Sequence, residues 1–457
     1  MSERLNSPSR RDVIKTTTGI VATSSLAGVS IPSVHAGENN TIDVALIGCG
    51  GRGTGAAQNA IATRSGPIRI TAMADAFQDR LKSSYDELKR RVDNEERLAV
   101  KDENKFVGYD AFKNAMDVLK PGDVVIFATP PAFRWPFFQY AIKKKLNVFM
   151  EKPTTVDGPS TRKMLALADE SEKAGLKVGV GLMCRHCEVR QELFDRIKKG
   201  EIGDITLLRA YRMHGPVGTF QVRKKPEKLN ELEYQIRNFH GFLWASGGAF
   251  SDFYIHNIDE CCWMKDAWPV KASGNGGRHY RKDFVDQNFD NYTVEYTFED
   301  GTKMYLEGRC ITGAREEFAS YAHGTKGAAV ISASGHSPAR CKTFKGHQMK
   351  TENIIWKCKA RENNPYQLEW DNLIQSIRDD KPHNEARRGA MASLVTAMGR
   401  LASHTCSEVT LDQMMNHDHE MAPDVDKLTI DSPAPVKANA EGIYPIPEPG
   451  RKKNREY

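Results

Sequence analysis

Two groups of residues have types and spacings suited to chemistry. Gly48, Gly50 and Gly53 form a Gly-x-Gly-x-x-Gly run directly after the apolar stretch Val44–Ile47. A strand that ends on such a run and opens a helix makes a phosphate cradle. Gly48 permits the tight turn, Gly50 lets the main chain approach a pyrophosphate, and Gly53 lets helix and strand pack closely. Cys49, Gly51 and Arg52 complete the loop, and the helix start behind it offers free N–H groups and a positive dipole end. Asp75 closes the second apolar run, 22 residues after Gly53. That is the place of a carboxylate that accepts from a ribose 2′-hydroxyl and repels a 2′-phosphate, so the cofactor expected is NAD rather than NADP. Arg52 and Arg80 are the side chains there that could meet a phosphate instead. The second group is Asp252 and His256. Four residues apart on a helix, they share one face, and a histidine is the natural proton acceptor near neutral pH. A lysine held beside such a pair and a nicotinamide could steady a developing alkoxide.

Elements able to position these groups can be read from the apolar pattern. Val44–Ile47, Ile68–Ala72, Val124–Ala128, Val148–Met150 and Val178–Val180 read as buried strands. Helical stretches lie between them, at Phe77–Arg91, Phe112–Leu119, Pro136–Lys144 and Ser160–Ala174. This alternation predicts a parallel sheet covered by helices. After a helix running from Glu188 to about Lys199 the pattern changes. Ile205–His214, Val270–Asn275, Asn291–Phe298, Lys303–Gly308 and Glu317–His323 read as longer, alternating strands, which predict an antiparallel sheet. Helices at Leu368–Asp379 and Arg387–Ser403 close that unit. The expected fold is an α/β N-terminal Rossmann domain over 37–155 and an α+β domain with an open antiparallel sheet over 156–420. The strand near 178–182 packs back on the first sheet, and 421–457 is an extended tail.

Residues 1–36 read as a signal peptide removed from the mature chain. Arg10-Arg11 is followed by Asp12-Val13-Ile14-Lys15, then by a mild apolar stretch from Thr16 to Pro32, then by Val34-His35-Ala36. This is the order charged, apolar, small-residue site, with a twin arginine at its head and cleavage expected after Ala36. That route carries folded proteins, so the nucleotide would leave the cytoplasm tightly bound inside the protein. The expected location is the periplasm or otherwise outside the cytoplasm, with the twin-arginine machinery as a partner. The apolar stretch is too short and too rich in Thr, Ser and Gly for a stable membrane span. The chain carries a net charge of +6, and +4 without residues 1–36. So weak an excess over this length gives no case for nucleic acid. Cys184-Arg185-His186-Cys187 has the residue types of half a zinc site, but no second Cys-x-x-Cys completes it, and no metal is expected.

Three further segments carry a resemblance: Ala128-Thr129-Pro130, Glu151-Lys152-Pro153, and Gly247-Gly248-Ala249-Phe250-Ser251-Asp252 running on to His256-Asn257-Ile258-Asp259. Together with the glycine run they resemble the Gfo/Idh/MocA family of sugar and polyol oxidoreductases over nearly the whole mature chain. The resemblance implies Lys152 as the catalytic lysine, with Asp252 and His256 completing a triad. It implies Thr129, Pro130, Glu151, Lys152 and Pro153 around the cofactor, Pro153 placing the nicotinamide. The sequence departs from the family pattern in three places. Ala249 and Tyr254 stand where the family has glycine, and Arg134 stands where a histidine is frequent. Tyr254, Arg185, Arg237 and Trp244, with His186 and His240, are the side chains expected to meet a sugar. We also expect a homo-oligomer formed through the C-terminal sheet.

Two classes of function follow. One is an exported oxidoreductase that moves a hydride between a carbohydrate carbon and tightly held NAD. The other is a redox-neutral glycosidase of the kind in glycoside hydrolase family 109, which oxidises, eliminates, hydrates and reduces. The segment Phe253-Tyr254-Ile255-His256-Asn257 differs from that family's signature, which ranks the oxidoreductase first. A protein keeping NAD only as structure would have no need of Lys152, Asp252 and His256 together.

Overall fold

Long apolar runs bounded by glycine turns force the first half of the chain into a two-faced sheet. A computed structural model describes residues 40–279, 281, 283–359 and 364–457. The leader expected over 1–36 lies outside them. In chain order the first unit contains β1 (Ile42–Ile47), α1 (Gly51–Ile61), β2 (Ile68–Asp75), α2 (Gln78–Arg91), β3 (Lys105–Val107), α3 (Ala111–Asp117), β4 (Val124–Phe127), α4 (Arg134–Lys143), β5 (Asn147–Met150), α5 (Gly158–Lys173) and β6 (Val178–Val180). Its six strands are all parallel and lie in the order β3-β2-β1-β4-β5-β6. The strand order reverses between β1 and β4, so a crevice opens there above the strand ends, where the glycine loop and Ala128 meet. Strands β4, β5 and β6 are buried along their whole length, as strands covered on both faces must be.

The second unit begins with α6 (Glu188–Lys198), β7 (Ile205–His214), α7 (Glu231–Arg237), α8 (Leu243–Ser246) and α9 (Gly248–Lys265). Strands β8 (Lys271–Gly277), β9 (Asn291–Thr297), β10 (Lys303–Cys310), β11 (Glu317–Gly324), β12 (Gly327–Ala333), β13 (Lys342–Lys345) and β14 (Ile354–Lys357) follow. The chain then forms α10 (Pro365–Arg378), α11 (Ala386–Thr405), β15 (Glu408–Thr410) and α12 (Leu411–Met415). The nine strands order as β14-β13-β12-β11-β7-β10-β9-β8-β15. The expected antiparallel sheet needs one correction. β7 and β10 run parallel at its centre, because the long excursion through α7, α8 and α9 separates them and allows the chain to re-enter in the same direction.

Two expectations about organisation also change. Residues 156–420 do not serve one core: besides β6, the strand read as packing back on the first sheet, α10 also serves it, with Trp370, Leu373 and Ile374 on its outer face beside α1. The segment 421–457 has little regular structure, yet it is no free tail. Met421, Val425, Val436 and Tyr444 are buried in the core shared with the inner face of the first sheet. Near its end Glu456 is 2% exposed. Its carboxylate accepts from Arg400 (Nε–Oε2 2.9 Å, Nη2–Oε1 2.8 Å) and lies 2.5 Å from His404 Nδ1. Arg400, fully buried on α11, donates to Ser251 Oγ at 2.7 Å and to the Val156 carbonyl at 2.7 Å. It thereby ties the start of α9 to the chain just beyond Pro153.

Candidate active site

The glycine loop has the geometry its sequence implied. Gly48 sits at φ +94°, and a Cβ there would lie 2.6 Å from the Ala128 main chain. A Cβ at Gly53 would lie 2.0 Å from the Gly48 carbonyl oxygen, so only glycine lets α1 approach β1 this closely. At Gly50 and Gly51 a Cβ would meet nothing within 4 Å, and their main chain faces open space. Gly50 caps α1 with no side-chain bond, and the first turn holds no acidic residue, which leaves its N–H groups for an anion. The Cys49 side chain turns away, its thiol 3.4 Å from the Ala74 carbonyl, while its N–H donates to Asp75 Oδ2 at 2.7 Å. Asp75 Oδ1 accepts from Phe77 N at 2.9 Å. Burial raises the Asp75 carboxyl above its usual range, partly offset by these two N–H donors. The carboxylate is fixed at the cleft wall beside Arg80.

A cleft of about 490 Å³ runs from this loop past Thr129 and Pro130 to Lys152, Asp252 and His256. Its volume suits a bound small molecule. Thr129 Oγ1 and His256 Nδ1 are buried there without hydrogen-bond partners, which polar ligand atoms would satisfy. With the glycine loop at one end, these unpartnered atoms give the cleft residues that fit a dinucleotide. Arg52 is committed elsewhere: its guanidinium pairs with Glu151 and, at 3.4 Å, with Glu369. Glu151 is buried against Gly181, where a Cβ would lie 2.6 Å from the carboxylate. It acts as a prop beneath the loop, and the Lys152–Pro153 bond that follows it is cis.

Lys152, Asp252 and His256 converge. Lys152 Nζ donates to the Asp252 carbonyl at 2.8 Å and lies 3.4 Å from Asp252 Oδ1. His256 is one turn further along α9, a helix buried on nearly every side and therefore rigidly held. Burial would raise the Asp252 carboxyl, but Lys152, His240 and His256 draw it well below the usual carboxylate range. Burial, Lys152 and Arg212 push the His256 imidazole well below its ordinary value, so it is neutral. A neutral imidazole with an unpartnered nitrogen, beside a cation and an ionised carboxylate, can accept a proton from a hydroxyl.

Sequence reasoning missed three members of the cleft or misread their parts. His240 was expected on a sugar, but its Nε2 lies 3.1 Å from Asp252 Oδ2, so it orients the carboxylate. Arg212 comes from β7, and His336 lies with its ring 4.4 Å from that of His256. Neither has a motif. The one legible signal is that Arg212 continues the inward row Leu208–Ala210 of an alternating strand, where an apolar residue is the norm. Arg134 lines the cleft but turns its two terminal nitrogens to the Pro153 and Thr129 carbonyls, at 2.9 and 2.5 Å.

The remaining expected sugar contacts are placed elsewhere. Tyr254 is fully buried over Gly308, where a Cβ would come within 2.2 Å of its ring. It fills the sheet surface that Gly308 leaves bare. Trp244, also fully buried, donates to Gln235 at 2.7 Å. Arg237 pairs with Asp79 and Glu233 and stacks 3.9 Å over Phe77. Arg185 forms a two-point pair with Asp259 and lines a separate depression beside Trp263. His186 pairs with Glu385 at 3.1 Å. Each has a structural partner that an isolated sequence position does not reveal. Among the described residues, Cys184, Glu260 and His336 hold ligand-type atoms within 4.8 Å of one another, but Glu260 is already engaged by Arg190 and Ser332.

Residues 42–181 match the family described as an oxidoreductase family with an NAD-binding Rossmann fold, and residues 191–330 match the GFO/IDH/MocA C-terminal domain. The chain belongs to the Gfo/Idh/MocA family. It is 24% identical over 264 residues to scyllo-inositol 2-dehydrogenase (NAD(+)) of Bacillus subtilis (strain 168), covering 57% of this chain and 69% of that protein. It is 25% identical over 165 residues to the rhizopine catabolism protein MocA of Rhizobium meliloti, covering 36% and 45%. Among solved structures, scyllo-inositol dehydrogenase from Lactobacillus casei with bound NAD(H) and scyllo-inositol superposes with a TM-score of 0.59 at 19% identity, over 81% of this chain and 99% of that one. An aldose-aldose oxidoreductase from Caulobacter crescentus does so at 0.61 and 14%, over the same shares. These structures share the fold. The first unit is thus an NAD-binding Rossmann domain. Among the described residues no helix is long and apolar enough to cross a membrane.

Asp75 gives a direct check on cofactor choice. Asp75→Ser should raise affinity for NADP relative to NAD, because it removes the negative charge opposite a 2′-phosphate and leaves Arg80 in place. Titrating the apo protein with both nucleotides measures this; an unchanged ratio would show that Asp75 does not face the ribose.

Proposed function

We propose that this protein oxidises a secondary hydroxyl of a sugar, polyol or glycoside, or reduces the matching ketone, with NAD held in the cleft. The observation that carries the reading is the neutral, unpartnered His256 one turn from an Asp252 already fixed by Lys152 and His240. Bound NAD supplies the hydride acceptor. The protein's own groups manage the proton and the charge. His256 takes the hydroxyl proton. Lys152 holds positive charge where the alkoxide develops. Asp252 keeps Lys152 in place and, through His240, fixes the wall of the pocket. Relatives that are by name inositol and aldose oxidoreductases support the substrate class.

The test is single-turnover reduction of bound NAD, followed at the NADH absorbance band while sugars, inositols and glycosides are offered in turn. Reduction by at least one of them is expected. Release of an aglycone with no lasting NADH would replace this reading with the eliminating glycosidase.

We further propose that residues 1–36 direct twin-arginine export and that NAD travels with the folded protein. Arg10→Lys combined with Arg11→Lys should leave the protein in the cytoplasm, as scored by cell fractionation. Normal export of the double variant would remove the proposal.

A further inference from the structure

Among the cations of the cleft, Arg212 stands apart. Arg52 pairs with Glu151, Lys152 with Asp252, Arg134 with two carbonyls, and Arg80 donates to the Arg237 carbonyl at 3.0 Å. Arg212 has no carboxylate partner and no hydrogen bond among the described residues, and its Nε is buried without an acceptor. The Phe318 ring lies 3.7 Å from the guanidinium carbon. Phe318 sits directly across the strand pair from Arg212, and Gly308 flanks it on the other side. The stack fixes the plane of the guanidinium without using any of its donors. Burial draws the Arg212 pKa down, the mark of a charge lacking compensation. A half-buried cation with its Nε sealed from water and its planar fork unused is costly unless something anionic meets it.

The position is informative too. Arg212 is at the cleft end of the inward row Leu208–Ala210–Arg212 on β7, and it shares the cleft wall with His256, His336 and Asp252. Asp252 is the acid nearest to hand, and Lys152 and His240 already hold it. The fork is therefore offered to the reacting end of the cleft, where the substrate must lie.

We propose that the substrate carries a carboxylate, as in a uronic or aldonic acid, and that Arg212 receives it through two parallel N–H bonds. This deepens the reading of the cleft as a carbohydrate dehydrogenase and rests on it. One unpaired guanidinium matches the single charge of a carboxylate. The neighbouring cations already hold partners of their own, Arg52 in Glu151 and Lys152 in Asp252, which leaves Arg212 as the one whole fork on offer there.

The experiment compares matched pairs on the purified full chain with NAD bound: glucose against glucuronate, and galactose against galacturonate. Two measurements are made, NADH formation and equilibrium binding by calorimetry. The acid member should show kcat/KM and affinity about tenfold to a hundredfold above its neutral partner, the range for a charge-assisted pair. Arg212→Gln should bring that ratio close to one. Arg212→Lys, which keeps the charge but loses the fork, should retain part of it and guards against a simple folding defect. Equal or better handling of the neutral sugars overturns the proposal while leaving the dehydrogenase reading intact. Preference for glucose 6-phosphate over glucuronate overturns the carboxylate assignment. If no sugar reduces NAD but glucuronate binds more tightly than glucose in an Arg212-dependent way, the site stands and the dehydrogenase reading falls. Absence of both effects removes both.

Discussion

His256→Ala should lower single-turnover reduction of bound NAD by about a hundredfold to ten-thousandfold, the usual contribution of a positioned proton acceptor. The fold and the bound nucleotide should survive, because His256 lies at the end of the cleft away from the glycine loop, and α9 is buried along nearly its whole length and held by contacts that do not involve His256. The residual rate should climb with pH as hydroxide takes over the proton. In the parent, the acid limb of the rate profile should lie well below the ordinary histidine range. The reasoning is one of sign. Burial, Lys152 and Arg212 disfavour the imidazolium, so the neutral base persists until the pH falls past that depressed value. A parent profile that falls near pH 6.5, the unperturbed histidine value, or an alanine variant as fast as the parent, would remove His256 from the chemistry.

Glu456→Ala is expected to be the most destabilising single change considered. It deletes the carboxylate that neutralises Arg400 and bonds His404, all three being buried. Breaking a buried pair from one side leaves an uncompensated charge, at a cost of about 3–5 kcal/mol. Because Arg400 also joins Ser251 to the Val156 carbonyl, the loss should loosen α9 relative to the Lys152 loop and slow turnover before the protein unfolds. Denaturant melts measure the first effect, and turnover at low temperature measures the second. Acid should mimic the variant. Burial alone would raise the Glu456 carboxyl, but Arg400 and His404 bring it well below the usual range. Its stabilisation is thus complete above the unfolded carboxylate value of about 4.3 and fades as the pH falls below it. A melt of Glu456→Ala indistinguishable from the parent would show that the 421–457 segment is not tied to the core through this residue.

The sequence by itself determined the nucleotide half of this protein. Each step from Val44 to Asp75 is local: a strand, three glycines with separate steric duties, a helix start and an acid one strand later. Gly48 and Gly53 prove this most clearly, since a single added carbon at either would strike main-chain atoms. The i, i+4 spacing of Asp252 and His256 is equally local, and it placed both on the helix that faces the cleft. Tertiary structure decided what crosses between elements. The parallel pairing of β7 with β10 depends on where a long excursion returns. Tyr254 meets Gly308, Arg185 meets Asp259 and Arg237 meets Asp79, all from distant segments, and those partners hold them in the core or at the surface, out of the cleft. His240 became a support for Asp252, and Glu456 reached Arg400 and His404 more than 50 residues earlier in the chain. Arg212 is the sharpest case. On an alternating strand it could have been one more solvated cation. Only the closing of the sheet over α9 put its guanidinium at the reacting end of the cleft, with an aromatic ring beneath it and no carboxylate bonded to it. Pairing between remote charges follows the geometry of the assembled chain, because Coulomb and hydrogen-bond energies fall off over a few ångströms while sequence separation carries no distance at all.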